Sequence, residues 1–466
     1  MMKIKHLNKK MLLISLCVFL GISSKSVGQE NLNNRIIIQI KEGSSLVIPE
    51  SIGIKSAKIA YPEKFKHKEL AKDLGLDRFY TLEINSTLNI QQVLFYLRSL
   101  SIYERVEIDS KGTVADTIPN DPEFPNQWGL RNTGQIGIAG YDIKAYRAWD
   151  MIDPNSINVI TVAIVDSGVQ FEHPDLEGIV LPGWVVNPAF TYFDHCAHGT
   201  HVAGIVGALI NNGIGVAGIN PNVKILPVKV LDGCWGLESW CADGIIWATD
   251  NGADICNMSL QYSDGSEYFR LACIYARTQG VILVAAMGNS ANPNAWWPAR
   301  FEECWGISSI APDGTLSLFS NYGETDFAAP GESIISTVSV YAYLYYSGTS
   351  MASPHVAGIF SLMLSIDPLQ TPEELYTKLA ESSVDLGTPG YDIYFGHGLP
   401  DAANAARKSL RCYPDANGDG LLNIADFGAF QTKFAIGNWY ADCNGDQILN
   451  LADFGCFMTK FALGCN

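Results

Sequence analysis

Basic residues are scarce in this chain. Its 31 Lys and Arg stand against 48 Asp and Glu, a formal net charge of -17, whereas binding to a phosphate backbone runs on clusters of Lys and Arg. Nucleic acid is thereby excluded as a favoured partner. Long apolar runs are scarce too: Met11 to Ile22 is too short to span a bilayer, and no later run approaches the length required. Lysines at 3, 5, 9 and 10 precede that run and the small, polar Ser23 to Gly28 follows it. The pattern predicts a secretory signal peptide over residues 1–28 and a secreted mature chain without a membrane span. A third absence is the CxxC pair, which weighs against a thiolate metal site.

Cysteine itself is present. Removing Cys17 with the signal leaves ten of the 11 cysteines, an even number suited to disulfides in an oxidising compartment. The pairing stays open: Cys234 with Cys241, Cys273 with Cys304, and a tail set of Cys412, Cys443, Cys456 and Cys465 are all compatible with the spacing. A hydrophobic content of 47% is ample for a large core, and 466 residues exceed one average domain.

Residues 29–118 alternate short apolar strands (Arg35–Ile40, Tyr80–Ile84) with an amphipathic run from Asn89 to Leu100, the pattern of a small α+β unit. From 119 to 411, buried-strand runs such as Ile160–Val165 and Gly280–Ala286 alternate with helical segments. That predicts an α/β fold, a parallel sheet with helices on both faces. Residues 412–466 hold a repeat: the stretch from Asp415 to Gly428 recurs from Asp442 to Gly455.

Three segments of the α/β region carry the chemistry. Gly348-Thr-Ser-Met-Ala-Ser-Pro-His355 offers Ser350, Val162-Ala-Ile-Val-Asp-Ser-Gly168 offers Asp166, and His198-Gly-Thr-His-Val-Ala-Gly204 offers His198. A serine hydroxyl is a poor nucleophile at neutral pH. It needs an imidazole as general base and a carboxylate to fix the imidazole's tautomer. The chain order Asp, His, Ser is one of the orders that reach this geometry. His173, His201 and His355 are expected to be structural.

Together with Asn257-Met-Ser-Leu260 and Gly288-Asn289, these segments resemble the subtilisin-like serine peptidases (subtilases) over about 119–406. The resemblance implies a subtilisin-like fold and peptide-bond hydrolysis in polypeptide substrates. Ser350 would attack the scissile carbonyl, His198 would take and return the proton, Asp166 would orient His198, and Asn289 would stabilise the oxyanion. It places the substrate between two edges, Cys234, Trp235, Gly236 and Leu237 on one side and Ser259, Leu260 and Gln261 on the other. Gln261 and Met287 depart from the small residues usual in the family, which leaves the specificity pockets open. The α+β unit then takes the place of an inhibitory propeptide, with maturation near residues 110–120. By the same resemblance Asp175 and Asn212, with the carbonyls of Ile210, Ile214 and Val216 and a contribution from Asp121, form a calcium site. Two other functions use the same residues: a catalytically silent subtilase-fold binding protein, and a peptide ligase.

The tail repeat sets oxygen ligands at loop positions 1, 3, 5 and 12 and a backbone carbonyl at position 7, the spacing that wraps hard oxygens around calcium. The first loop offers Asp415, Asn417, Asp419, Leu421 and Asp426; the second offers Asp442, Asn444, Asp446, Ile448 and Asp453. Asn423 and Asn450 at position 9 would act through water. Gly420 stands at the sharp turn of the first loop and Gln447 in the second, which predicts weaker binding there. The repeat resembles a dockerin, a small α-helical EF-hand-like module. That resemblance implies a cohesin-like or surface scaffold partner and cell-surface attachment. Phe427, Phe430, Phe434, Phe454, Phe457 and Phe461 are expected to form the module's own core.

Overall fold

The computed structural model describes residues 35–48, 53–60, 68–73, 75–85, 90–108, 118–152, 158–419 and 421–465. The expected signal peptide, Gly420 and most of the expected maturation region lie outside the described residues. The chain divides into two compact units, the first ending at Thr113 and the second running from Val114.

In the first unit, strands β1 (Arg35–Ile40), β2 (Ile54–Ile59), β3 (Phe79–Ile84) and β4 (Tyr103–Ile108) form one antiparallel sheet in the order β2-β3-β1-β4. Helices α1 (Lys68–Asp73) and α2 (Ile90–Ser99) complete it. Val93, Leu94 and Leu97 recur at helical spacing on α2 and share a core with Ile36, Ile38, Leu82 and Ile84, which alternate along their strands.

The second unit opens with the short α3 (Ala145–Ala148) and is built on strands β5 (Ile160–Asp166), β6 (Trp184–Val185), β7 (Val223–Lys229), β8 (Ile255–Met258), β9 (Ile282–Ala286), β10 (Trp305–Ile310) and β11 (Phe327–Pro330). All their pairings are parallel, in the order β11-β10-β9-β8-β5-β7-β6. Between them run α4 (His198–Gly207), α5 (Glu238–Asp250) and α6 (Glu267–Thr278). After β11 come the hairpin strands β12 (Ile334–Val338) and β13 (Ala342–Tyr346), then α7 (Thr349–Ile366), α8 (Pro372–Ala380) and α9 (Ala402–Ser409). This is the parallel sheet with helices on both faces that the strand pattern implied, and the subtilisin-like fold that the motif resemblance implied.

The apolar run of β5 reads without alternation because both of its faces are covered. Ile160, Val162 and Ile164 pack with Val202 and Val206 of α4 and Val356 and Phe360 of α7. Ala163 and Val165 point the other way, to Ile245 of α5 and Phe269 of α6. Burying each of the larger side chains contributes roughly 1.5–3 kcal/mol. Among the described residues, the one helix long and apolar enough to cross a membrane is α7, and it is buried inside this core.

The tail holds α10 (Ile424–Ala435) and α11 (Leu451–Leu463). Phe430 and Phe457 are fully buried and stack 4.1 Å apart, flanked by Phe427, Phe434, Phe454 and Phe461. The phenylalanine repeat is thus the module's core. The disulfide Cys412–Cys465 joins its ends, and Cys443–Cys456 ties the second loop to α11. The tail is continuous with the catalytic region: Trp439 N donates to Asp150 (2.9 Å), and the Arg147 guanidinium lies 3.8 Å over the Trp439 ring.

Candidate active site

The strand order reverses between β5 and β8, and open parallel sheets bind ligands beyond the carboxyl ends of the strands at such a switch point. Asp166 ends β5, Ser259 follows β8, and Asn289 lies three residues beyond β9. His198 is the first residue of α4 and Ser350 the second of α7. Helix starts and strand ends therefore converge from five elements far apart in sequence.

Asp166 is fully buried. Its two carboxylate oxygens lie 2.9 and 3.0 Å from His198 Nδ1, and Oδ1 also accepts the Ser167 N–H at 2.7 Å. Burial opposes the imidazolium form of His198, but the charge and hydrogen bond of Asp166, with Asp194 adding to them, hold its pKa above the ordinary histidine value. Gly199 has to be glycine: a Cβ there would meet the Gly168 carbonyl at 2.1 Å, so only a bare backbone lets α4 start this close to the end of β5.

Ser350 Oγ donates to the Ser259 carbonyl at 3.2 Å, and Ser259 Oγ donates to the Ser350 carbonyl at 2.7 Å. His198 and Ser350 line one cleft of 430 Å³, with Asn289 on its wall. In this arrangement the hydroxyl points at Ser259 rather than at the imidazole. Rotation about χ1 at Ser350 would be needed to redirect it. Asn289 has its side-chain oxygen occupied by Thr349, which donates both N–H (2.8 Å) and Oγ1–H (3.0 Å). That pairing fixes the amide with its NH2 as the end left to donate. Gly288 N–H also binds Thr349 Oγ1, and a Cβ at Gly288 (φ 109°) would meet Asn321 Nδ2 at 2.5 Å.

Of the expected substrate edges, Cys234, Trp235, Gly236, Ser259, Leu260 and Gln261 line the cleft. Leu237 does not; its carbonyl accepts the Tyr262 hydroxyl at 3.2 Å. Trp235 is 60% exposed at the mouth and packs on Trp240. Gln261 reaches back through Oε1 to the Asn289 N–H (3.2 Å), so the departure from glycine adds a brace to the Asn289 wall. Cys196, Leu231, Tyr262, Ala286 and Thr349 also line the cleft and were not anticipated. Thr349, beside Ser350 in the motif, carried the one usable signal.

The cysteine pairing differs from two of the expected groupings, since Cys273 and Cys304 are also unbonded. Cys234 is bonded to Cys196, not to Cys241, because Cys241 is on the buried face of α5 while Cys234 sits in an exposed loop facing the approach to α4. Cys273 and Cys304 are neighbouring buried thiols, 3.8 Å between sulfurs. The three histidines expected to be structural serve packing. His173 accepts the Asp175 N–H, His355 Nδ1 meets the Met351 carbonyl, and His201 Nε2 lies 3.0 Å from the carbonyls of Ile334 and Leu344.

The oxygen-rich loops also gather as groups. Asp175 accepts from Asn212 Nδ2 (2.7 Å) and the Val216 N–H (2.9 Å), and Asp121 accepts from the N–H groups of Asn211 and Asn212. Burial, with Asp121 adding to it, pushes the Asp175 carboxyl up to about 6. Ile210 and Ile214 lie on that same loop. In the tail, Asp415 accepts from Gly418 and Asp419, Asn417 donates to Asp419, and Leu421 N–H donates to Asp419. Asp442, Asn444, Asp446 and Ile448 repeat most of this pattern, and Asp426 and Asp453 close the two loops. Burial raises the Asp453 pKa, with Asp442 and Asp446 adding to the effect, a like-charge crowding that suits a cation. Asn423 and Asn450 prove to be N-caps in capping boxes with Asp426 and Asp453, so their side chains are committed to α10 and α11. Among the described residues no three His, Cys, Asp or Glu side chains form a metal cluster; these loops would rely on amide and carbonyl oxygens as well.

A sequence model described as the subtilase family matches residues 158–398. The thermophilic serine proteinase of Bacillus sp. strain AK1 is 36% identical over 326 residues, 68% of this chain and 76% of that protein. Thermitase of Thermoactinomyces vulgaris is 40% identical over 252 residues, 53% of this chain and 85% of thermitase. Among solved structures, a protease of Pseudoalteromonas arctica superposes with a TM-score of 0.55 at 33% identity, covering 62% of this chain and 99% of that one. Motif order, sheet topology and these likenesses agree, and the chain belongs to the subtilase family of serine endopeptidases.

Proposed function

We propose that Asp166, His198, Ser350 and Asn289 carry peptide-bond hydrolysis in a secreted precursor that matures by losing residues 1–28 and then 29–118. The observation that bears most weight is the double contact of Asp166 with His198 Nδ1 in the cleft that Ser350 and Asn289 also line. With Nδ1–H held by the carboxylate, Nε2 is the basic nitrogen. It takes the Ser350 proton as Oγ bonds to the scissile carbonyl carbon, then gives that proton to the leaving amine as the C–N bond breaks. Water repeats the sequence on the acyl-enzyme, releasing the acid and restoring Ser350. Charge that develops on the carbonyl oxygen meets two donors. One is Asn289 Nδ2. The other is the Ser350 N–H, which sits in the first turn of α7 where the helix leaves its amides unpaired.

Calcium is the cofactor of this reading. Asp175, Asn212 and Asp121, with the loop carbonyls of Ile210, Ile214 and Val216, would hold one ion, and the two tail loops would hold others. The cation supplies charge neutralisation and loop stiffness and takes no part in the proton transfers. The tail serves attachment to a scaffold or surface. Leu421 and Ile424 in the first repeat, and Ile448 and Leu451 at the matching positions of the second, are 60–83% exposed, a paired apolar face left uncovered by the described residues.

A fluorophosphonate probe tests the chemistry. It should label the wild-type protein at Ser350 and leave Ser350→Ala unlabelled, and Ser350→Ala should accumulate as unprocessed precursor in a protease-free host. Labelling that persists in Ser350→Ala would sink the assignment.

A further inference from the structure

The start of α4 poses an electrostatic problem. His198 is the first residue of a ten-residue helix, at the positive end of its dipole, yet the reaction requires the ring to become an imidazolium there. One other carboxylate is built into this corner. Asp194 is fully buried in the segment before α4 and gathers five donors on its two oxygens. Oδ1 accepts from Ser167 Oγ (2.8 Å), Cys196 N–H (3.2 Å) and Ala197 N–H (2.9 Å); Oδ2 accepts from Thr200 N–H (2.9 Å) and Thr200 Oγ1 (2.6 Å). Its own carbonyl accepts Ser339 Oγ at 2.6 Å.

These bonds set the histidine from both sides. Ala197 immediately before it is held in the left-handed region (φ 62°), a conformation that costs an alanine free energy and is kept by the flanking N–H bonds to Asp194. Ser167 joins the two buried acids: its N–H binds Asp166, its hydroxyl binds Asp194, and its Oγ accepts the Gly199 N–H at 3.0 Å. Lys229, opposite Asp166 on β7, donates Nζ to the carbonyls of Ser167 (2.6 Å) and Phe193 (2.9 Å), the neighbours of the two acids.

We infer that Asp194 is a positioning residue for catalysis, a second buried carboxylate that fixes the entry of His198 into α4 and offsets the helix dipole where the imidazolium forms. The inference rests on the proposed roles of Asp166, His198 and Ser350. Charged and titratable groups around the ring are Asp166 on β5, Asp194, His201 one turn along α4, Lys229 on β7 with Asp232 beyond it, and His195, whose Nε2 contacts Thr191. Asp166 and Asp194 both favour the protonated ring, so removing Asp194 should lower the His198 pKa while Asp166 remains.

The test compares Asp194→Asn with wild type in pH profiles of kcat/KM, with active sites counted by fluorophosphonate labelling. Asparagine presents an NH2 to donors that need an acceptor and carries no charge. Expected are a fall in kcat of about 10–100-fold with KM little changed and an acid limb displaced downward by about half a pH unit or more. A helix cap and nothing more would lower the melting temperature while leaving both the acid limb and the per-site kcat at wild-type values; that result overturns the inference. If Asp194→Asn does not fold, Ser167→Ala breaks the link between the acids while keeping both. A fall in per-site kcat of roughly 5-fold or more, with melting within a few degrees of wild type, supports the role, and wild-type kcat overturns it. Wild-type hydrolysis that does not depend on Ser350 would instead overturn the underlying catalytic reading.

Discussion

Arg407→Ala probes whether the tail is a fixed part of the enzyme or a free adaptor. Arg407 is in the last turn of α9 and lies 3.3 Å from Asp442 Oδ2, on the first residue of the second tail loop; the two side chains are only 8% and 2% exposed. Its Nη1 donates to Asn404 Oδ1. Truncating one partner of a buried ion pair leaves the other charge stranded, at a cost of about 3–5 kcal/mol. Asp442 keeps the N–H groups of Gly445 and Gln447, which argues for the lower end, about 3 kcal/mol. For a cooperative unit running from Val114 to Asn466, an unfolding entropy of about 2.1 cal/mol/K per residue turns that into a fall of roughly 4 °C in Tm. The measurement is calorimetry in a Ser350→Ala background, which suppresses self-digestion, paired with hydrogen exchange of α10 and α11. In chelator the full loss is expected. In calcium the loss should shrink, since a cation on Asp442 takes over the neutralisation, and Asp442→Asn added to Arg407→Ala should recover most of the stability by removing the stranded charge. Melting and tail exchange identical to the parent in chelator would refute the reasoning.

Three other outcomes are open to direct measurement. Asn289→Ala should reduce kcat by about 10²–10³-fold with KM nearly unchanged, a magnitude borrowed from subtilisin, another member of the family, and not worked out for this chain; stopped assays on a chromogenic peptide decide it. Chelating calcium should lower the melting temperature of Ser350→Ala, because an ion present at about 1,000 times its Kd contributes roughly 4 kcal/mol, and a melting curve indifferent to chelator would count against all the proposed sites. Activity should rise as pH passes above the ordinary histidine value, since His198 must be neutral to accept the Ser350 proton and its pKa is held up by Asp166. The stabilising contact of the charged ring with Asp166 has the opposite dependence, present in full below the unfolded value and lost as pH rises through the folded one.

The fold was legible where burial leaves a one-dimensional trace. β5 and β9 read as unbroken apolar runs because helices cover both faces of the sheet, and Asp166 and Asn289 follow directly at or beyond their ends. Candidate site residues were legible where a motif carries its own context, as Ser350 does inside a run that starts a helix. Pairings that depend on distance in space were not. Nothing in the sequence ties Cys196 to Cys234, and spacing leaves Cys241 an equally compatible partner, which α5 turns into the core. An acid just before a helix ordinarily means a cap, and the bond of Asp194 to the distant Ser167, which spacing does not show, is what ties it to Asp166.

The tail shows how equal sequence repeats become unequal in place. By spacing alone, Asp415 to Asp426 and Asp442 to Asp453 are twins that differ mainly by Gln447 standing where a turn favours glycine. Gln447 does adopt the left-handed conformation (φ 65°), and it has partners that a glycine could not engage: Arg147 donates to its Oε1 at 2.9 Å, and its Nε2 lies 3.3 Å from Asp401. Those contacts, with Arg407 on Asp442, offset the strain of the turn by seating the second loop on the catalytic region. The weaker calcium binding expected of that loop would therefore have a second cause beside the turn itself, because an ion would have to compete with an arginine already at its proposed first ligand. Gln447→Gly separates the causes. If turn strain dominates, the second loop should bind calcium more tightly in calorimetric titration with the tail still protected from exchange; if seating dominates, α10 and α11 should lose protection whether or not affinity changes.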